Sequence, residues 1–185
     1  MHADNPTTVS TACVDLIARF EGLRQSAYLC PANRLTIGCG HVLLPKHDCG
    51  LFNISSDVLA QMVSECQSRS VLTQHAQVVL HISRDQVLAL LSRDVAQTAL
   101  FLSSVTPVKL NQNQFDALVS LIFNIGQGNY ATSTLRKKLH AADYAGAAAE
   151  FDKWVMGTVN GKKQKLPGLI TRRAAERALF ESNHA

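Results

Sequence analysis

Apolar residues recur at helical spacing over Val9, Cys13, Leu16, Ile17 and Phe20, and Thr8 or Ser10 stands where a side-chain cap belongs, so an amphipathic helix leads up to Glu21. From Tyr28 to His41 the period changes. Pro31, Asn33, Gly38 and Gly40 punctuate β-favouring residues, which predicts a short hairpin or small sheet, the one convincing β region. Beyond Lys46 the pattern is helical almost to the end, with segments near 55–68, 84–104, 111–124, 132–140, 143–155 and 168–181. Ser83 and Gln86 form a capping box in front of the longest segment, and Pro107 punctuates its far end. The stretch from Asp48 to Leu80 has no clear period. Trp154 has helical apolar spacing around it, in EFDKWV, and reads as a core anchor. No repeat, low-complexity tract or Gly/Ser linker separates independent domains. The expected fold is α+β and predominantly helical: a small β-containing lobe joined by a long helix to a larger helical lobe.

Composition supports a globular reading. At 185 residues, 46% hydrophobic and 17% charged, the chain is long enough to bury a core and too apolar for general disorder. No apolar run reaches the length of a membrane span, and the first residues lack a basic segment followed by an apolar one, so neither a signal peptide nor stable membrane insertion is expected. Cys13, Cys30, Cys39, Cys49 and Cys66 match no tight metal-binding pair. Cys13 and Cys39 read as buried thiols, while Cys49 and Cys66 could bridge a loop. The net charge of +4 is uneven: residues 1–135 hold eight Lys/Arg against nine Asp/Glu, and residues 136–185 hold ten against five. A basic face suits an anionic partner such as nucleic acid, a membrane surface or a wall polymer. Charge alone favours a plain solvated helical face.

Candidate chemistry concentrates in FEGLRQSAYLCPANRLTIGCGHV, residues 20–42. A glutamate at a helix end is usually a surface residue, and Cys30 taken singly also fits a packed or disulfide-bonded cysteine. Glu21, Cys30 and Thr36 around a Gly-rich hairpin nonetheless form the set that glycosidic cleavage needs. One carboxylic acid protonates the leaving oxygen, and a group on the opposite face of the sugar positions water or attacks the anomeric carbon.

The register Glu, eight residues, Asp or Cys, five residues, Thr is that of the phage-lysozyme family (glycoside hydrolase family 24), and Glu21, Cys30 and Thr36 occupy it. EGLR (21–24), Tyr28 and TIGCGH (36–41) match its flanks. HISRDQVLALLSRDV (81–95), QNQFDALVSLIFNIGQG (112–128), STLRKKL (133–139) and PGLITRRAAERALF (167–180) resemble its linker, core and C-terminal helices. The chain thus resembles an endolysin of the branch with a Glu-Cys-Thr triad.

The resemblance implies a single catalytic domain over 1–185, with a β-containing lobe about 21–82, a linker helix about 84–104, and a helical lobe about 105–185 plus the N-terminal helix. It implies hydrolysis of the β-1,4 bond between N-acetylmuramic acid and N-acetylglucosamine of bacterial peptidoglycan, leading to lysis. Glu21 would be the general acid, Cys30 the nucleophile or charge stabiliser, and Thr36 the group orienting water. Phe123, Asn124, Ser133 and Thr134 fall at positions that resemble those meeting the glycan; the residues alone also fit helix capping for Asn124, Ser133 and Thr134, and for Phe123 they favour core packing. His41 would pair with Asp94 as structural support, and Arg172 would hold Glu21. No metal or cofactor is needed, no nucleic acid is involved, and a monomer is expected. Such a protein is made in the host cytoplasm and reaches the wall through a holin. The departures are Cys30 in place of the commoner Asp, and a stretch from about 43 to 80 longer than in compact members. A lytic transglycosylase acting at the same bond, a Cys/His peptidase using Cys30 with His41 or His47, and a non-catalytic wall binder stay open.

Overall fold

The computed structural model describes residues 5–159 and 161–182, so the ends of the expected 1–185 domain and Asn160 lie outside the described residues. The chain divides into two compact units: Glu21–Asp94, and the chain up to Phe20 together with everything from Val95 onward.

The Glu21–Asp94 unit is built on a three-stranded antiparallel sheet, β1 (Arg24–Leu29), β2 (Leu35–Gly38) and β3 (His41–Val42), in that order. All four residues of the central strand β2 are buried. Gly38 takes a left-handed φ of +64°, a conformation that favours glycine. The outer edge of β1 is not left bare, because Ala27 N–H donates to Leu80 O and Ile82 N–H donates to Gln25 O, both at 2.9 Å. The stretch without a clear sequence period folds as α2 (Pro45–Asp48), a 3-10 turn (Cys49–Phe52), α3 (Ser56–Arg69) and α4 (Gln74–Val79). Ser55 and Thr73 cap α3 and α4. Leu35, Ile37, Leu59, Cys66, Leu80 and Val87, all at 0% exposure, form its core. Each large aliphatic side chain among them contributes about 1.5–3 kcal/mol by leaving water.

α5 (Arg84–Val105) opens with the expected capping box: Ser83 N–H donates to Gln86 Oε1 at 2.8 Å and Gln86 N–H donates to Ser83 Oγ at 3.1 Å.

In the other unit, α6 (Gln112–Ile125) is the central helix, with every residue from Phe115 to Ile122 buried. Asp116 inside that run is satisfied by Ser10 and by Gln112 Nε2, which ties the start of α1 (Thr11–Glu21) to α6. α10 (Pro167–Glu181) packs along α6, and α7 (Gln127–Thr132), α8 (Thr134–His140) and α9 (Tyr144–Glu150) complete the helical shell.

Four sequence expectations change here. The helical pattern does not run to the end: β4 (Met156–Val159) and β5 (Lys162–Lys165) form an antiparallel hairpin. Its sequence signal is the Asn160–Gly161 pair, a turn-favouring dipeptide between two short β-capable runs. The segment near 132–140 breaks at Ser133, whose side chain caps α8. Trp154 is only half-buried, and the core anchor there is Phe151, packed on Phe180 with ring centroids 5.5 Å apart. Cys49 and Cys66 are not bridged, since all five cysteines are free thiols.

Candidate active site

Glu21 is the last residue of α1, and Gly22 at φ +78° turns the chain out of the helix into β1. The carboxylate is therefore presented on an exposed helix end. Cys30 lies in the tight turn between β1 and β2, closed by Cys30 N–H to Arg34 O at 3.0 Å and Asn33 N–H to Cys30 O at 2.8 Å. Asn33 takes the left-handed conformation that such a turn needs, at φ +56°, and its side-chain Nδ2 donates to Gln67 O at 2.8 Å. The Cys30 thiol sits below the ordinary thiol range. The main cause is the Arg34 backbone N–H, working against partial desolvation, with the Ala32 N–H, the Thr36 hydroxyl and the Arg34 charge adding to it.

Thr36 stands two residues past the turn on β2, at 1% exposure, with its hydroxyl donating to Arg34 O at 2.9 Å. Tyr28 is its cross-strand neighbour. The Arg24 guanidinium covers the Tyr28 ring at 4.3 Å. Burial raises the Tyr28 phenol, Arg24 lowers it, and Cys30, Cys39 and Glu21 raise it further, so one side chain feels both Glu21 and Cys30. Cys39 is pushed up to about 11 by burial and then by the charges of Glu21 and Asp94, which keeps it a neutral thiol.

His41 is held from both sides. Nδ1 meets Asp94 Oδ2 at 2.8 Å and Nε2 meets Asp48 Oδ2 at 3.0 Å. Asp48 is fully buried and also accepts from Leu44 N–H at 2.7 Å and from Arg93 at 2.9 Å. Burial alone would lower the His41 imidazole, but the two carboxylates outweigh it and raise it. Burial likewise opposes Asp48, whose carboxyl nonetheless ends up lowered by Leu44 N–H, His41 and Arg93. The sequence pointed to Asp94 and not to Asp48, which lies in the stretch without a period; its short distance from Pro45 at a helix start was the only local clue. With both ring nitrogens engaged, His41 has none left to act as a base for Cys30, which removes the main support of a Cys/His peptidase.

In the other unit, Asn124 is exposed and accepts from Arg173 at 3.1 Å, and Phe123 is half-buried rather than in the core. Ser133 caps α8 through Arg136 N–H at 3.0 Å and donates to Tyr130 O, while Thr134 is exposed. Two adjoining grooves of about 520 and 330 Å³ share Asn129, Lys153 and Trp154. Asn124 lines the first, Ser133 and Thr134 line the second. Sequence reading missed Trp154 as a groove wall because its helical spacing looked like core. Glu150 on the second groove is bound by Lys138 at 2.7 Å and Lys153 at 2.9 Å, which lower its carboxyl. Arg172 is buried, with Nε 3.0 Å from Glu176 Oε1, and its guanidinium lies 5.7 Å from the centroid of the Phe20 ring. Burial pushes the Glu176 carboxyl up against the pull of Arg173, Ser120 and Arg172.

The chain is similar to known proteins. An endolysin of Acyrthosiphon pisum secondary endosymbiont phage 1 is 43% identical over 167 residues, which is 90% of this chain and 93% of that protein. Among solved structures, the muramidase domain of SpmX from Asticaccaulis excentricus is similar with a TM-score of 0.72 and 30% identity, covering 99% of this chain and 100% of that one. A mutant of P22 lysozyme, from a Salmonella phage, gives 0.70 and 31%, covering 95% and 99%. The phage lysozyme family model matches residues 18–176, which spans Glu21, Cys30 and Thr36 and most of both units, and on that match the chain belongs to the phage lysozyme family.

Proposed function

We propose that Glu21, Cys30 and Thr36 carry the reaction of this enzyme, a muramidase that hydrolyses the glycan of bacterial peptidoglycan. Glu21 protonates the glycosidic oxygen as the β-1,4 bond to N-acetylglucosamine breaks. Cys30, ionised, faces the positive charge that develops on the muramyl ring. Thr36 presents an oxygen lone pair to the attacking water. Capture of the sugar by sulfur would leave a thioglycoside needing a second acid-assisted cleavage, so stabilisation is the more economical role for the thiolate.

The observation carrying this reading is the Cys30 turn. The turn that Cys30 and Arg34 close lowers the pKa of the thiol, chiefly through the Arg34 backbone N–H, and the same surroundings would serve a carboxylate there. Asn124, Ser133 and Thr134 on their grooves, with Phe123, are proposed to meet the glycan. Among the described residues no helix is long and apolar enough to cross a membrane. We propose that a holin-like pore delivers the enzyme, so that cells expressing it intact should lyse only when such a pore is supplied.

Mass spectrometry of digested peptidoglycan tests the chemistry. Reducing N-acetylmuramic acid ends are expected; anhydro ends would make the enzyme a transglycosylase, and free amines a peptidase. Glu21→Gln, nearly isosteric but unable to donate the proton, should lose at least about 100-fold in lysis rate with unchanged thermal stability. Full activity in that folded variant would sink the assignment.

A further inference from the structure

Half of the cations in residues 136–185 are paired with carboxylates within the fold. Arg172 and Arg173 flank Glu176, Lys138 and Lys153 share Glu150, and Arg177 binds Asp152 and Glu181. The remaining carboxylate, Asp143, caps α9 through Gly146 N–H. Every acid of the segment is thus used. Of the five cations left over, Lys162, Lys163 and Lys165 stand together on β5, all exposed, and no ion pair among the described residues involves them.

The hairpin that carries them is exposed over most of its length. Its base is seated, because Leu166 N–H donates to Val155 O at 2.9 Å and a Cβ at Gly157 would clash with Leu166. Cross-strand pairing puts Lys163 beside Thr158 and Lys165 beside Met156 on one face, and Lys162 beside Val159 on the other. Lysines therefore stand on both faces, around an apolar end at Val159, which is 39% exposed, with Met156 at 50% exposed near the base. An exposed branched aliphatic residue with a lysine across from it and two more on the other face of the hairpin suits an interface whose outer layer is anionic and whose interior is apolar: lysine stems reach up to the headgroups while the aliphatic side chain goes below them. A soluble polyanion would use the lysines alone, and the hairpin carries no aromatic residue on which bases could stack.

We propose that the β4–β5 hairpin is a peripheral docking surface for an anionic lipid bilayer. It holds the enzyme at the membrane surface through the lysines and Val159. The inference is independent of the catalytic reading, since the vesicles that test it contain no peptidoglycan.

Co-sedimentation of the whole chain with phosphatidylglycerol-containing vesicles should show binding that is absent on pure phosphatidylcholine and weakens as salt rises from about 0.05 to 0.5 M. The triple variant Lys162→Gln, Lys163→Gln, Lys165→Gln should bind on the order of 100-fold more weakly, each lysine contributing about fivefold. The charge-preserving triple Lys→Arg variant should keep binding, which separates charge from folding. Val159→Ser should weaken binding about fivefold. All three variants should digest isolated peptidoglycan at the parent rate. Absence of binding to anionic vesicles, or undiminished binding by the triple Gln variant, overturns the proposal. So does indifference to Val159→Ser combined with equal affinity for duplex DNA, which would make the hairpin a polyanion site.

Discussion

In the role proposed for it, the sulfur at position 30 would stabilise a cationic transition state only while ionised, and the β1–β2 turn shifts the thiol in that direction. The Arg34 backbone N–H foremost, with the Ala32 N–H, favours the thiolate. The same donors would suit a carboxylate. Cys30→Asp is therefore expected to keep activity within about tenfold of the parent, because the aspartate inherits the donors. Cys30→Ser, whose hydroxyl stays neutral, is expected to lose at least about tenfold. Lysis rates of the two purified variants decide between roles: an active Ser variant makes Cys30 structural, and an inactive Asp variant points to covalent catalysis by sulfur. Alkylation of Cys30 should also set in below the pH at which an ordinary thiol reacts, and a rate that rises only above that range would contradict the turn's effect on the sulfur.

At the scale of elements, the cluster of His41, Asp48, Arg93 and Asp94 joins β3, α2 and α5 within the Glu21–Asp94 unit. The raised His41 contributes stability that is complete below its unfolded value of about 6.5 and is lost as pH rises through the higher folded value. The lowered Asp48 contributes stability that is present above about 3.9 and is lost as pH falls through its lower folded value. Both contributions are complete only between about pH 4 and 6.5. Asp48→Asn should cost about 3 kcal/mol at pH 5.5, because it leaves His41 and Leu44 N–H poorly matched in a fully buried place. A double-mutant cycle on His41→Gln and Asp94→Asn should give at least about 1 kcal/mol of coupling at pH 5.5 and less at pH 8.5. Chemical denaturation at the two pH values measures both, and coupling that grows with pH would refute the assignment.

Over the whole molecule, what the sequence revealed depended on whether a signal was local. The capping box at Ser83, the helix ending at Glu21 and the small sheet after it are written within a few residues, and each was legible. Asp48 and Trp154 were misjudged because their roles depend on partners far along the chain, and the β4–β5 hairpin because its strands are short and polar. The cysteines show the same limit: Cys49 and Cys66 suit a bridge by spacing, yet Cys66 is buried in the core and donor geometry sets its sulfur against Thr73. Native thiol labelling followed by mass spectrometry should modify Cys30 first and Cys49 more slowly. Cys13, Cys39 and Cys66 should react only after unfolding, the first two being held protonated by burial as well. Early modification of Cys13 or Cys66 would mean that the core opens.

The side chain of Asn33 ends on the carbonyl of Gln67, in the last turn of α3. Because the acceptor is backbone, replacing the Gln67 side chain leaves the tether in place, whereas adding or removing a residue within 56–69 rotates that carbonyl by about 100° and withdraws it from the turn that holds Cys30. With Cys30 in its proposed role, the length of α3 becomes a dial on turnover. Selection on the timing of lysis, in a phage or in a laboratory, can reach the reaction through insertions and deletions in α3 while every residue that handles the substrate stays as it is.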